Sequence, residues 1–199
     1  MADGTRVGGE TNITAGTGRI KELHLVPRDV QPLPQTLAAI ASADLITIGP
    51  GSLFTSLVPN LLVHGIPEAV AASPAVKVLV CNLMTEANES LGLSAADHIQ
   101  VLTNHARTRI FDYALVNATP ASAELKTKYA EEHARQIVAD VDGIEALGVN
   151  VILRDYLEEV DGMARHATHR VSRDLLRLLR HTFRKEDDAP HGLTEARLS

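Results

Sequence analysis

Apolar positions in this chain fall into short unbroken runs and into longer stretches with helical spacing. Leu45–Ile48 and Lys77–Cys81 are almost wholly apolar, the mark of strands buried on both faces. Ile20–Val26, Tyr113–Val116, Ile137–Ala139 and Val149–Leu153 read as further short strands, and Pro27–Pro34 as a turn-rich connector. Helical spacing is carried by Gln35–Ala43 through Leu37, Ile40 and Ala41. Ser94–Arg107 carries it through Ala95, Ile99, Leu102 and Ala106, with Ser94 as the expected N-cap. Ala121–Ala134, the short Gly143–Leu147 and the long Thr168–Lys185 complete the helices. Buried strands alternating with helices predict an α/β fold, a parallel sheet with helices on both faces. Residues 1–185 are expected to form one domain and residues 186–199 a flexible tail.

Composition narrows the function classes. The chain has 199 residues, a net charge of −6 and 45% hydrophobic residues, an ordinary globular balance with room for a core. Aromatics are 3% and Trp is absent, which argues against the stacking platforms of RNA-binding modules and, with the negative charge, against nucleic acid as a partner. Cys81 is the only cysteine, so neither an internal disulfide nor a multi-cysteine zinc site is available. With a polar Met1–Thr14 and no membrane-spanning run, the chain reads as cytoplasmic. Its charge is unevenly spread. Arg165–Lys185 holds seven Lys/Arg against Asp174, a balance of +6, so the rest carries −12. A basic last helix stands on an acidic body.

The strongest local signal is Leu45-Ile46-Thr47-Ile48-Gly49-Pro50-Gly51-Ser52-Leu53-Phe54-Thr55-Ser56, a strand, a glycine-rich turn and a helix start. Free N–H groups there suit an anion, Gly49 and Gly51 let a ligand approach the backbone, and Ser52 offers a capping hydroxyl. Two readings stay open: an anion site and a tight connecting turn. Phe54 stands where a dinucleotide fingerprint needs its third glycine, no Gly-Lys-Ser/Thr follows, and Pro50 and Phe54 break a nucleophile elbow around Ser52. At the end of the second apolar run, Asn82 and Thr85 are placed either to meet a base, ribose or phosphate or to cap the next turn. Asp97-His98 suits a surface or cap role, because adjacent helical residues do not face each other. No histidine spacing points to zinc, so no metal is expected. Arg165 and His166 are expected to open the last helix, where an Arg fork suits a phosphate. That helix pairs a core stripe (Val171, Leu175, Leu178, Leu179, Thr182) with a basic face (Arg170, Arg173, Arg177, Arg180, Arg184). The face is either solvated or a weak contact for an anionic surface.

Several of these strings, taken in order, resemble the CofD/YvcK family. They are Val7–Ile13, Ala43 through Ser56, Pro59–Val63, Ala75 through Thr85, Ser94–His98, Lys128-Tyr129, Asp155-Tyr156 and Arg165-His166. The pattern is nearer the gluconeogenesis-factor branch than the 2-phospho-L-lactate transferase branch. The resemblance implies a Rossmann-like fold and a cytoplasmic regulatory protein that binds a UDP-sugar such as UDP-N-acetylglucosamine. Such proteins support cell shape and morphogenesis on gluconeogenic carbon, and the family leaves room for a homo-oligomer. By matching position, Gly49, Gly51 and Ser52 would line the nucleotide-sugar site with Asn82 and Thr85 nearby. Tyr129 would contact ligand by stacking or hydrogen bonding and Arg165 through phosphate. No catalytic constellation is expected, and no cofactor beyond the UDP-sugar ligand. The family's first strand and Gly-Gly-Gly-Thr-Gly loop have no counterpart here; Gly16-Thr17-Gly18 is only an echo, Leu91 replaces a common Asp and Phe54 a common Tyr. The chain therefore reads as the C-terminal two-thirds of the family fold. Two alternatives stand beside this: a transferase acting on a deazaflavin, and an interaction module working through Arg170–Arg184.

Overall fold

Four parallel strands, β1 (Leu45–Ile48), β2 (Val76–Val80), β3 (Tyr113–Asn117) and β4 (Asn150–Arg154), lie side by side in chain order. The computed structural model describes residues 1–14 and 20–187. Register is continuous across the sheet, with Leu45 beside Val76, Val78 beside Tyr113 and Tyr113 beside Asn150. Strands that succeed one another in one direction, each joined by a right-handed crossover, send their connecting helices to the same face. The packing agrees. Helices α3 (Val58–Leu61), α4 (Ile66–Ala72), α5 (Ala95–Ala106) and α7 (Val141–Ala146) share one core with Leu79, Ala114 and Val116. The alternate residues Val76, Val78 and Leu115 point the other way. They pack with α6 (Ala123–Glu131), a hairpin of β5 (Leu157–Val160) and β6 (Met163–His166), and α8 (Thr168–Asp187). The sheet is thus covered on both faces, as the apolar runs predict.

Local signals explain most helix ends. Ser94 starts α5 through a reciprocal capping box: its Oγ accepts from Asp97 N–H at 3.2 Å and its own N–H donates to the Asp97 carboxylate at 2.8 Å. Asp97 is therefore a cap, while His98 turns inward and is buried. Ser122 caps α6 through Leu125 N–H at 3.1 Å. Helix α2 (Pro34–Ala41) starts on Pro34 and buries none of its side chains, although Leu37 and Ile40 lie on it. A short α1 (Glu10–Thr14) precedes it.

Several boundaries differ from expectation. Ile20–Val26 is not a strand; among the described residues no strand pairs with it, and Val26 is 96% exposed. Ile137–Ala139 is not a strand either, its neighbourhood making only an isolated Met84–Gln136 bridge. The β5–β6 hairpin was not anticipated, and it turns on Asp161 and Gly162, both at positive φ. Arg165 and His166 belong to β6 rather than to the opening of the last helix, because Ala167 separates them from α8. The helix runs to Asp187, two residues into the expected tail. Gly16-Thr17-Gly18 and residues 188–199 lie outside the described residues. Among those described, no single helix is long and apolar enough to cross a membrane.

Candidate functional site

The carboxyl ends of β1 and β2 meet over the glycine turn. Gly49 takes a φ of +84°, and a Cβ built there would stand 2.7 Å from the Val80 carbonyl oxygen, so only glycine lets the turn close on β2. Asn82 then locks it from the other side. Its Oδ1 accepts from Gly51 N–H at 3.1 Å and its Nδ2 donates to the Gly51 carbonyl at 2.8 Å. Gly49, Gly51 and Asn82 therefore form one rigid unit. Ser52 adjoins them, but its hydroxyl does not cap the following helix as expected. It donates instead to Glu86 Oε1 at 3.0 Å. The next residues, Leu53–Leu57, form a single wide turn whose amides at Ser56 and Leu57 both donate to the Ser52 carbonyl.

Two of the N–H groups that suit an anion, those of Phe54 and Thr55, already hold one. Glu89 is buried, and its carboxylate accepts from Phe54 N–H at 3.0 Å, Thr55 N–H at 3.2 Å and the Thr55 hydroxyl at 2.7 Å. Two amides of the segment after the glycine turn, those of Phe54 and Thr55, thus meet an anion supplied from within the chain. A ligand phosphate about 4 Å from this carboxylate would meet a repulsion of about 4 kcal/mol in a surface-like medium. Glu86 stands beside it, half-buried, and burial first and the Glu89 charge second push its carboxyl above the usual range, against the Ser52 hydrogen bond. Neither acid was among the residues expected from sequence. The signal was present as the Glu86-Ala-Asn-Glu89 spacing just past Asn82, but a short acidic loop ordinarily reads as solvated.

Thr85, Tyr129 and Arg165 fall elsewhere in the same region. Thr85 is buried, with its N–H on the Arg135 carbonyl at 2.7 Å and its hydroxyl accepting from Arg135 N–H at 2.9 Å. It braces the segment beyond α6 and does not line an open surface. The Tyr129 hydroxyl accepts from Ala164 N–H at 3.2 Å, and Lys128 Nζ donates to the Gly162 carbonyl at 2.8 Å, so α6 grips the hairpin. His166, on the inner face of β6, reaches the Cys81 carbonyl at 3.0 Å, one residue before Asn82. Burial lowers its imidazole below the ordinary histidine range. Alternation along β6 then puts Arg165, exposed and opposite Glu158, on the hairpin's outer face. The structure thus joins Gly49, Gly51, Ser52 and Asn82 directly. It links Tyr129 and Arg165 to them only through the hairpin.

The basic helix is less free than its sequence implies. Asp174 is 3% exposed on the core side of α8 and accepts from the Tyr156 hydroxyl at 3.0 Å and from Arg177 at 3.0 Å, with Arg173 at 3.6 Å. Arg170 pairs with Asp155. Three of the five expected arginines are therefore engaged within the chain, and the side chains of Arg184 and Thr182 lie outside the described residues. Two surface cavities, of about 550 and 770 Å³, open near Lys21–Arg28 and are not lined by the glycine turn's Gly49, Gly51 or Ser52, or by Asn82. Among the described residues no group of three or more His, Cys, Asp or Glu is placed to hold a metal.

A parallel sheet covered by helices on both faces, with a glycine turn and an amide clustered at adjacent strand ends, defines a Rossmann-like α/β protein. The family model described as 2-phospho-L-lactate transferase CofD matches residues 1–157, and the chain belongs to that CofD family. It is similar to a gluconeogenesis factor of Halalkalibacterium halodurans, 44% identical over 176 residues that cover 88% of this chain and 55% of that protein. A gluconeogenesis factor of Bacillus subtilis is 43% identical over 180 residues, covering 90% of this chain and 57% of its own. A crystallised protein of the UPF0052 family from Bacillus halodurans superposes with a TM-score of 0.86 at 44% identity, over 88% of this chain and 57% of that one. The chain spans little more than half the length of these relatives.

Proposed function

We propose that this chain is a regulatory protein of the gluconeogenesis-factor kind that binds a UDP-sugar such as UDP-N-acetylglucosamine in the cytoplasm and supports cell shape on gluconeogenic carbon. One observation carries the reading. The two-bond latch between Asn82 and Gly51 holds a glycine turn rigid at the carboxyl ends of β1 and β2, the edge of an open α/β sheet outside which ligands bind. The names of its relatives support the gluconeogenesis-factor part of this reading. In this reading Gly49, Gly51, Ser52 and Asn82 form the floor of the site, Thr85 braces it, and Tyr129 and Arg165 act from the hairpin side. Arg165 supplies charge for a diphosphate, beside a turn in which Glu89 already takes the Phe54 and Thr55 amides.

A thermal-shift series with UDP-N-acetylglucosamine, UDP-glucose, GDP and GTP tests the proposal. A ligand at 100 times its Kd stabilises by about 2.7 kcal/mol, or about 5–11 °C in a domain of this size. The UDP-sugars are expected to give such a shift and the guanine nucleotides a smaller one. No shift with any of the four, in protein shown to be folded, overturns the reading. The description of the matching family model favours a second reading, transfer of a phospho-lactyl group onto a deazaflavin. Product formation by mass spectrometry would establish it and displace the first.

A further inference from the structure

We propose that the open edge of β1, with the uncharged surface of α2 that leads into it, is the face on which two copies of this chain pair, their β1 strands running antiparallel across a two-fold axis. The sequence supplies the first observation. Between Asp29 and Glu68 the only Asp, Glu, Lys or Arg is Asp44, in a chain that is 22% charged. Residues 30–48 of that stretch are all exposed or half-buried, and α2 buries none of its side chains. Exposed segments ordinarily carry charge, because charged residues gather at the surface. Here Leu33 is 69% exposed and Leu37 37% instead. The sheet supplies the second observation. Among the described residues β1 pairs with β2 alone, although Leu45–Ile48 has the apolar run of a strand found in the middle of a parallel sheet. It has no charge or proline to keep another strand away, whereas the opposite edge, β4, ends on the exposed Arg154. Val76 N–H donates to the Asp44 carbonyl at 3.0 Å, and residues two apart along a strand face the same neighbour, so Ile46 and Ile48 also bond to β2. The N–H and C=O groups of Leu45 and Thr47 therefore point out of the open edge.

A second copy suits this edge for reasons of charge and of register. Each copy carries −6, yet the face holds only Asp44, so copies that repel elsewhere meet here without repulsion. Charge-poor centres are the mark of homodimer interfaces, and a charged partner would bury its charges here unpaired. Residues 30–48 also approach the roughly 20–30 residues a side of a standard interface. Two-fold pairing then has one register that satisfies the edge. With Leu45 opposite the second copy's Thr47, the outward N–H and C=O groups of both strands pair completely. Ile46 meets the second copy's Ile46 at the axis, and Asp44 falls opposite Ile48, so no like charges oppose each other. Antiparallel pairing sends the two glycine turns to opposite ends of the joined strands.

Sedimentation equilibrium on the chain as it stands, from micromolar to near-millimolar concentration, reads the pairing directly. The parent is expected to dimerise, and its Leu45 and Thr47 amides to gain protection from hydrogen exchange as concentration rises. Thr47→Pro removes an outward N–H that no bond within the chain uses, at a place where an edge strand accepts proline. It costs the dimer a hydrogen bond from each copy and should weaken pairing about tenfold or more, with thermal melting of the monomer close to the parent's. Thr47→Lys sets a charge in the joint and should weaken pairing in the same direction. A parent that stays monomeric at every concentration overturns the proposal and leaves the edge to a strand of another polypeptide. A parent dimer whose strength neither folded variant changes overturns it too, since the copies then meet elsewhere. Should Thr47→Pro not fold, Thr47→Lys, at an exposed position, decides alone.

Discussion

Removing Glu89 tests whether the glycine turn depends on an anion supplied by its own chain. In Glu89→Ala the amides of Phe54 and Thr55 and the Thr55 hydroxyl lose a shared carboxylate. Hydrogen bonds to a charged acceptor contribute about 1.5–3 kcal/mol each, and a buried N–H left without a partner costs about 1–3 kcal/mol. The three bonds share one group, and water can reach the half-buried Thr55, so the contributions do not simply add. A loss of about 3–5 kcal/mol is expected, near the cost of breaking a buried charged contact. At about 2–4 °C per kcal/mol this lowers Tm by about 6–20 °C. Glu89→Gln keeps one acceptor oxygen and can donate to the Thr55 hydroxyl, so about 1–2 kcal/mol is expected. Urea unfolding followed by circular dichroism reads both, with unchanged m-values as the check on the unfolded state. Acetate or phosphate adds a second arm. The vacated amides of Glu89→Ala should bind the added anion and recover about 1.4 kcal/mol at ten times its Kd, while the parent gains nothing comparable. A Glu89→Ala variant within about 0.5 kcal/mol of the parent, the scale of an ordinary surface change, would refute the role assigned to this carboxylate.

Three further outcomes follow from single residues. Gly49→Ala should cost about 2–4 kcal/mol, since it adds a left-handed penalty to a 2.7 Å approach to the Val80 oxygen; a urea midpoint equal to the parent's would contradict it. His98 donates Nδ1–H to the Ser94 carbonyl at 2.8 Å and leaves a buried Nε2 without a partner, and burial lowers its pKa. The unfolded chain therefore takes up the proton first. The stability this residue contributes is complete above about pH 6.5 and is lost as pH falls through the folded value, so His98→Phe should flatten the slope of urea midpoint between pH 7.5 and 5.5. An equal slope in parent and variant counts against this. Burial pushes the Cys81 thiol up to about 12, so a thiol reagent at pH 8 should label the folded protein only at the rate of opening and label it fully in urea. Immediate labelling of the folded chain would show that the strand end is more open than described.

Elements stabilised by their own residues were legible in the sequence, and elements stabilised by a partner were not. Leu45–Ile48 is observed with the bounds its apolar run predicts, and Ser94 starts α5 because the Asp97 that completes its capping box lies three residues on. Ile20–Val26 also has a strand pattern, yet a strand exists only by pairing, and among the described residues none pairs with it. The β5–β6 hairpin shows the converse. Its Asp161-Gly162 turn is a strong two-residue hairpin signal, but Arg165 and His166 run so closely into α8 that the whole stretch reads as one helix. The site divides in the same way. Gly49 and Gly51 announce a turn locally, whereas the role of Glu89 depends on contacts 34 and 35 residues away that spacing cannot reveal.

The same contacts separate what the site is from what its sequence motif promises. A strand, a glycine turn and a run of free amides together promise a phosphate cradle. Here the amides of Phe54 and Thr55 close on Glu89, so these two donors hold the turn rigid. Rigidity is useful at this position. The Gly51–Asn82 latch and the Glu89 clamp bind the turn to the segment after β2 at two points, and His166 ties the hairpin to Cys81 in that same segment. One stretch of chain, Cys81–Glu89, thereby sets the turn and the hairpin relative to each other.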